Sequence, residues 1–209
     1  MKGFVPHPGG AVAHLDADER AVIARVVADV ALLLGSEPFG MERDEPATVS
    51  DDDDLFRYLQ SLESALSDPD DPAVLRVLPN AAPDDREVAA EFRRLTEPEL
   101  RATKVARLRA IWEALSHDDP DWVVTDDAAV STASALTDVR LVLASRLGLE
   151  TDDDASALPD EIDLARHAMD TGAAEDLAVD PERVWLGMLY QALTWLQESL
   201  MAYLTRDDD

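Results

Sequence analysis

Apolar residues recur at helical spacing over most of the chain. Asp16 and Glu19 have the spacing of a capping box, and Val22, Ile23, Val26, Val27, Val30, Leu33 and Leu34 follow on one side of a helix before Gly35 stops it. Ahead of that helix, Phe4-Val5, Gly9-Gly10 and Ala11-Val12-Ala13 read as a β-hairpin, the glycines supplying the positive φ of a tight turn. Residues 36–50 read as a surface loop. Ser50 reads as an N-cap with Asp51–Asp54 in the first turn, ahead of Leu55, Phe56, Leu59, Leu62 and Leu66 at helical spacing. Pro72 to Leu78 gives two helical turns. Asp84 or Asp85 opens a helix through Phe92 to Leu95, and Thr96-Glu97-Pro98-Glu99 reads as a second capping box that starts a new helix ending at Leu115.

Trp122–Thr125 is a short strand candidate that can pair with the hairpin. Thr125 caps a helix from Asp126 to Leu147, with Gly148 as its stop. Residues 150–160 are acidic and turn-prone, followed by a modest helix over 161–169 and a break at Thr171-Gly172. Asp180 and Pro181 open the last helix, which is apolar nearly all round. Such a helix lies at the centre of a core or against another subunit. The pattern predicts a mainly α fold: a bundle-like single helical domain over residues 1–206 with an N-terminal hairpin, a third short strand at 122–125, and a frayed acidic tail at 207–209. The helices of 126–147 and 181 onward should form the middle of the core, with Trp112, Trp185 and Trp195 inside it.

Charge changes this picture. The chain has 45 acidic and 18 basic residues in 209, a formal net charge of −27 with thirty Asp against fifteen Glu. A solvated acidic surface accounts for most of that excess. It also opposes broad nucleic-acid binding and anionic membranes, since both need cations facing phosphate. Seven of the eighteen basic residues fall between Arg86 and Arg109, among only four glutamates, so this stretch is locally +3 and the remainder −30. Arg93, Arg94, Arg101, Lys104 and Arg107 in that island have two readings: internal ion pairs, or a docking patch for an acidic partner or phosphate.

Chemistry is sparse. There is no cysteine, which excludes disulfides, thiolate nucleophiles and zinc–thiolate sites. No GxSxG, Walker A or GxGxxG string occurs, and the serines at 131, 134, 145 and 199 fall within predicted helices. Asp163, His167 and Asp170 are spaced to share a helical face, without any accompanying metal signature, and read as surface residues. No catalytic residue, metal or cofactor is expected. The chain lacks an apolar signal core or a membrane-length apolar run, so a cytoplasmic location is expected.

The strings EFRRLTEPELRATKVARLRAI (91–111), ALTDVRLVLASRLGLE (135–150) and LTWLQESLM (193–201) resemble an actinobacterial family, domain-of-unknown-function family twenty-seventeen. The likeness covers most of the chain and none of the strings is a catalytic signature. It implies a cytoplasmic, mostly helical protein, encoded near the Clp adaptor and cysteine-biosynthesis genes and linked to oxidative-stress transcription control through an alternative sigma factor. Redox sensing proposed for the family uses a cysteine pair, which this chain lacks, so a disulfide switch is ruled out here. Matching polar positions are Arg93, Arg94, Arg101 and Lys104, then Asp138, Arg140 and Arg146, then Gln197 and Glu198. The expected function is a non-enzymatic regulator acting by protein–protein contact with a sigma factor or RNA polymerase; the alternatives are a Clp-protease-linked adaptor and a metal-dependent hydrolase. Candidate contact residues are Arg93, Arg94, Arg101, Lys104, Arg107, Trp195, Gln197 and Glu198, and Trp195 could also anchor a homodimer through the last helix.

Overall fold

The computed structural model describes residues 1–40, 71–172 and 178–206. Ser50, the Asp51–Asp54 run, the helix expected after it and the tail at 207–209 lie outside the described residues. The described elements are β1 (Lys2–His7), β2 (Gly10–His14), α1 (Ala17–Leu33), α2 (Pro72–Val77), α3 (Arg86–Leu115), β3 (Asp121–Thr125), α4 (Asp126–Arg146), α5 (Asp152–Thr171) and α6 (Pro181–Leu204). The fold is mainly α, as the spacing of apolar residues predicts.

The three strands form one antiparallel sheet in the order β1-β2-β3. Register pairs His7 with Gly10 and Gly10 with Thr125, so the hairpin and the third strand both fall where the sequence places them. Gly10 has a reason beyond the turn. A Cβ there would lie 2.0 Å from the Val124 carbonyl oxygen, so only glycine lets β3 approach β2. One sheet face buries Phe4, Ala11, Ala13, Trp122 and Val124, with Phe4 and Trp122 edge to face at 5.1 Å.

Helix α1 begins with the capping box of Asp16 and Glu19, each side chain accepting from the other's backbone N–H. Helix α4 runs through the middle, burying Leu136 and Val139 fully, and packs on α6, whose Leu193, Leu196 and Leu200 are also fully buried. A second, smaller apolar cluster joins Leu147, Leu149, Leu158, Ile162 and Val184 beneath α5. Gly187 makes that junction possible: a Cβ there would stand 2.5 Å from Ile162 Cδ1.

Two helices depart from the sequence reading. The break expected at Thr96 is absent, and α3 runs unbroken for 30 residues with Pro98 inside it. Thr96 does not cap; its hydroxyl donates back to the Phe92 carbonyl at 2.8 Å. Glu97 instead spans the proline, accepting from Arg93 on the preceding turn (3.2 Å) and Arg101 on the following one (2.6 Å). These i,i+4 pairs on both sides offset the hydrogen bond that proline removes. Likewise the turn-prone stretch at 150–160 is helical. Thr151 and Asp154 cap each other, the three aspartates of the first turn face the helix dipole favourably, and α5 continues through Pro159 to Thr171. Acidic composition there marks a helix start rather than a loop.

A candidate partner-binding face

The basic island provides the first test of site geometry. Arg93 is 8% exposed and engaged with Glu97, Arg94 is held by Glu91 at 2.7 Å, and Arg101 donates to Glu97 and to the Leu34 carbonyl (3.2 Å) at the end of α1. Lys104 donates to Asp138 on α4 at 2.6 Å, and both side chains are largely buried. Arg107 is half-buried and has no ion-pair partner among the described residues. The structure therefore brings Arg93, Arg101 and Lys104 together as a seam joining α1, α3 and α4, not as an open cationic patch. Of the two readings of the island, these contacts favour internal ion pairs: Arg93, Arg101 and Lys104 each lie within ion-pair distance of a carboxylate of the chain itself. Arg94 is exposed, but its pairing with Glu91 neutralises it. Its guanidinium in turn keeps the Glu91 carboxyl below the usual range by donating to it.

Most of the polar residues matched in the later strings also make contacts within the chain. Arg140 on α4 donates to Thr194 Oγ1 (2.9 Å) and Gln197 Oε1 (2.7 Å) on α6 and stacks against the Tyr190 ring at 5.3 Å. Gln197 Nε2 donates to Thr137 at 2.6 Å, so both ends of this amide are occupied between α4 and α6. Arg146 forks onto Asp71 with bonds of 2.6 and 3.0 Å, tying α4 to the cap of α2 and lowering the Asp71 pKa through those hydrogen bonds. Arg183 does the same for Glu161 between α6 and α5, and holds that carboxyl below its ordinary range. Asp163, His167 and Asp170 stay on the exposed side of α5, and among the described residues no three histidine or carboxylate groups converge as metal ligands.

The outward side of α6 differs from all of these. Trp185 (49% exposed), Met188 (44%) and Trp195 (44%) face solvent, with half-buried Ala192 between them. Their spacing of three and four residues draws one stripe along the helix. The placement of Trp185 and Trp195 in the core is thus wrong: α6 buries its opposite side against α4 and leaves these rings outside. Trp112 is half-buried against Phe39, and Trp122 is the tryptophan inside the core. Trp195 is not loose. Its Cη2 sits beside β1, where a Cβ at Gly3 would meet it at 3.1 Å, and Ser199 one turn later accepts from the Phe4 N–H at 2.8 Å. Glu198 stands exposed at the end of the stripe.

Next to the stripe, Val22 and Ile23 of α1 and Leu189 and Ala192 of α6 line an open groove of about 270 Å³, with Met1, Asp18 and Glu19 along its rim. The sequence reading missed Trp185, Met188 and this groove. The signal was present: Trp185, Met188, Ala192, Trp195, Ser199 and Ala202 step by three and four residues without one charge, in a chain rich in charge. All-round apolarity of the helix concealed it.

Fold and surface together define a class: an acidic, mainly helical scaffold with an open apolar and aromatic stripe along α6. Among the described residues no helix is long and apolar enough to cross a membrane. The chain belongs to the family described as a domain of unknown function, DUF2017, which matches residues 1–204. No curated protein and no solved structure matches it.

Proposed function

We propose that the protein is a non-enzymatic cytoplasmic regulator that acts by protein–protein contact, with a sigma factor or RNA polymerase as partner in stress-linked transcription control. The observation that carries the contact is the outward stripe of α6, where two tryptophans and a methionine stand about half exposed on a well-packed helix. Contiguous exposed aromatics mark interaction surfaces more often than they occur by chance on a monomer, and tryptophan is enriched among residues that dominate binding. Rigid support from β1 lowers the ordering cost of Trp195 on binding. The identity of the partner rests on the family resemblance. Lacking cysteine, the chain would receive an oxidative signal through another protein or through its own abundance.

The test is capture from a lysate of the source organism with mass-spectrometric identification. Wild-type protein should retain a sigma factor or polymerase subunit, and the Trp185→Ser/Trp195→Ser variant should not. Retention of Clp components in their place would replace the transcription reading with that of a protease adaptor. Failure to retain any transcription component would overturn it.

A further inference from the structure

We propose that the groove between α1 and α6, continued by the Trp195 stripe, receives a cationic amphipathic helix from the partner; this rests on the contact reading above and names the chemistry of what is bound. The floor of Val22, Ile23, Leu189 and Ala192 offers only aliphatic surface, and its volume of about 270 Å³ admits more than one aliphatic side chain. Two parallel requirements follow for the occupant: apolar residues on one side, and charge on the other that suits the rim.

The rim fixes the sign of that charge. Among the described residues lining the groove none has a cationic side chain. Glu19 is already committed, accepting from the Met1 amine and from the Asp16 N–H. Asp18 is exposed and without a partner among the described residues, so the unpaired charge among the described lining residues is negative, with exposed Arg25 one turn beyond Val22 along α1. Glu182 stands exposed three residues before Trp185 and Glu198 three residues after Trp195, and the whole chain is at −27. A second copy of this chain or any acidic segment would be repelled, whereas a segment with lysine or arginine along its wet side would be steered in.

Geometry favours a helix over an extended strand. The walls are helices, and from Trp185 to Glu198 the stripe is about 20 Å long at the rise of an α-helix, the length of a partner helix of about 14 residues. An amphipathic helix laid in such a groove presents anchors at i, i+3, i+4 and i+7. An extended strand would find a poor edge here: β1 lies at the edge of the sheet, but its Phe4 N–H is taken by Ser199 on α6 and Pro6 has no N–H to offer.

The experiment uses the full chain and three synthetic peptides of about 14 residues: leucine and lysine in amphipathic helical order, the same composition scrambled, and leucine with glutamate in the ordered pattern. Binding is followed by tryptophan emission and calorimetry at an ionic strength of about 0.15 M, where diffuse attraction is screened beyond about 8 Å. The ordered leucine–lysine peptide should bind at one site, at least about tenfold tighter than either control. Ala192→Arg should abolish most of that binding and Asp18→Lys should weaken it several-fold. Val22→Arg is the second floor variant should Ala192→Arg fail to fold. Equal binding by the scrambled peptide, or undiminished binding by folded floor variants, would overturn the proposal, as would equal affinity for the leucine–glutamate peptide. Attachment to phosphatidylglycerol vesicles in preference to the peptide would also overturn it. If the lysate partner is lost with the tryptophan variants while no peptide binds, the contact reading stands and this occupant is wrong. A peptide that binds as described, with no transcription component captured from lysate, leaves the groove assignment and removes the functional reading.

Discussion

Two sides of this molecule handle their side chains in opposite ways. Along α3 the chain gathers seven of its eighteen cations and holds Arg93, Arg101 and Lys104 against carboxylates from α3 and α4. Along α6 it places tryptophan and methionine in water with no charged residue at the stripe positions from Trp185 to Trp195. In a protein with 45 acidic residues, a cation readily finds an internal partner, so a cluster of cations is a structural feature by default. An exposed aromatic stripe has no comparable internal use. The informative surface is therefore the uncharged one.

The largest effect expected from breaking this contrast lies in the seam. Lys104→Met leaves Asp138 buried without its cation, with Asp138 Oδ2 already lacking a partner among the described residues. Loss of about 3–5 kcal/mol in chemical denaturation should follow. Pairing it with Asp138→Leu should recover most of the loss, because the isolated buried charge is gone. No recovery in the double variant would mean that packing, not charge, sets the cost.

A smaller loss is expected on the α6 side. Gly187→Ala forces Ile162 away from α6 and should cost about 1–3 kcal/mol, seen as a lower unfolding midpoint while helicity at low denaturant is kept. An unchanged midpoint would show that α5 yields freely at this junction.

Acid sensitivity sharpens the comparison between surface pairs that tie two helices together and the pair within one helix. Glu161 and Asp71 are held below their ordinary values of 4.5 and 3.8 by hydrogen bonds from Arg183 and Arg146. Since the folded pKa is the lower one, their contribution is present above the ordinary carboxylate range and is lost as pH falls through the folded value. Arg183→Ala and Arg146→Ala should therefore reduce stability at pH 7, and the gap to wild type should close as the solution is acidified below about pH 4. A gap that persists into acid would assign the loss to packing. The least effect is expected from Arg94→Ala at the exposed Glu91 pair, where thermal unfolding should not move measurably.

Much of the architecture was legible in sequence because local chemistry and tertiary packing agree. Asp16 and Glu19, Asp180 and Pro181, and the strand at 122–125 each form what their residues specify. The misreadings occurred where a local signal competed with its surroundings. Pro98 and Pro159 look like helix boundaries, yet the Glu97 double pair and the burial of Leu158 and Ile162 carry the helices through. The seam was not readable because Lys104 and Asp138 are 34 residues apart and only the packing of α3 on α4 brings them together. The α6 stripe was written in the spacing of its tryptophans, but which side of an all-apolar helix faces water depends on the position of α4.

Capture of the proposed transcription partner by two double variants tests the central contrast most directly. Trp185→Ser/Trp195→Ser removes the aromatic stripe, and Arg94→Glu/Arg107→Glu reverses the outermost candidate cations, each set checked for folded helicity. The account predicts that the aromatic variant loses the component by at least about tenfold while the charge-reversed variant retains it. Retention by the aromatic variant together with loss by the charge-reversed one would contradict it.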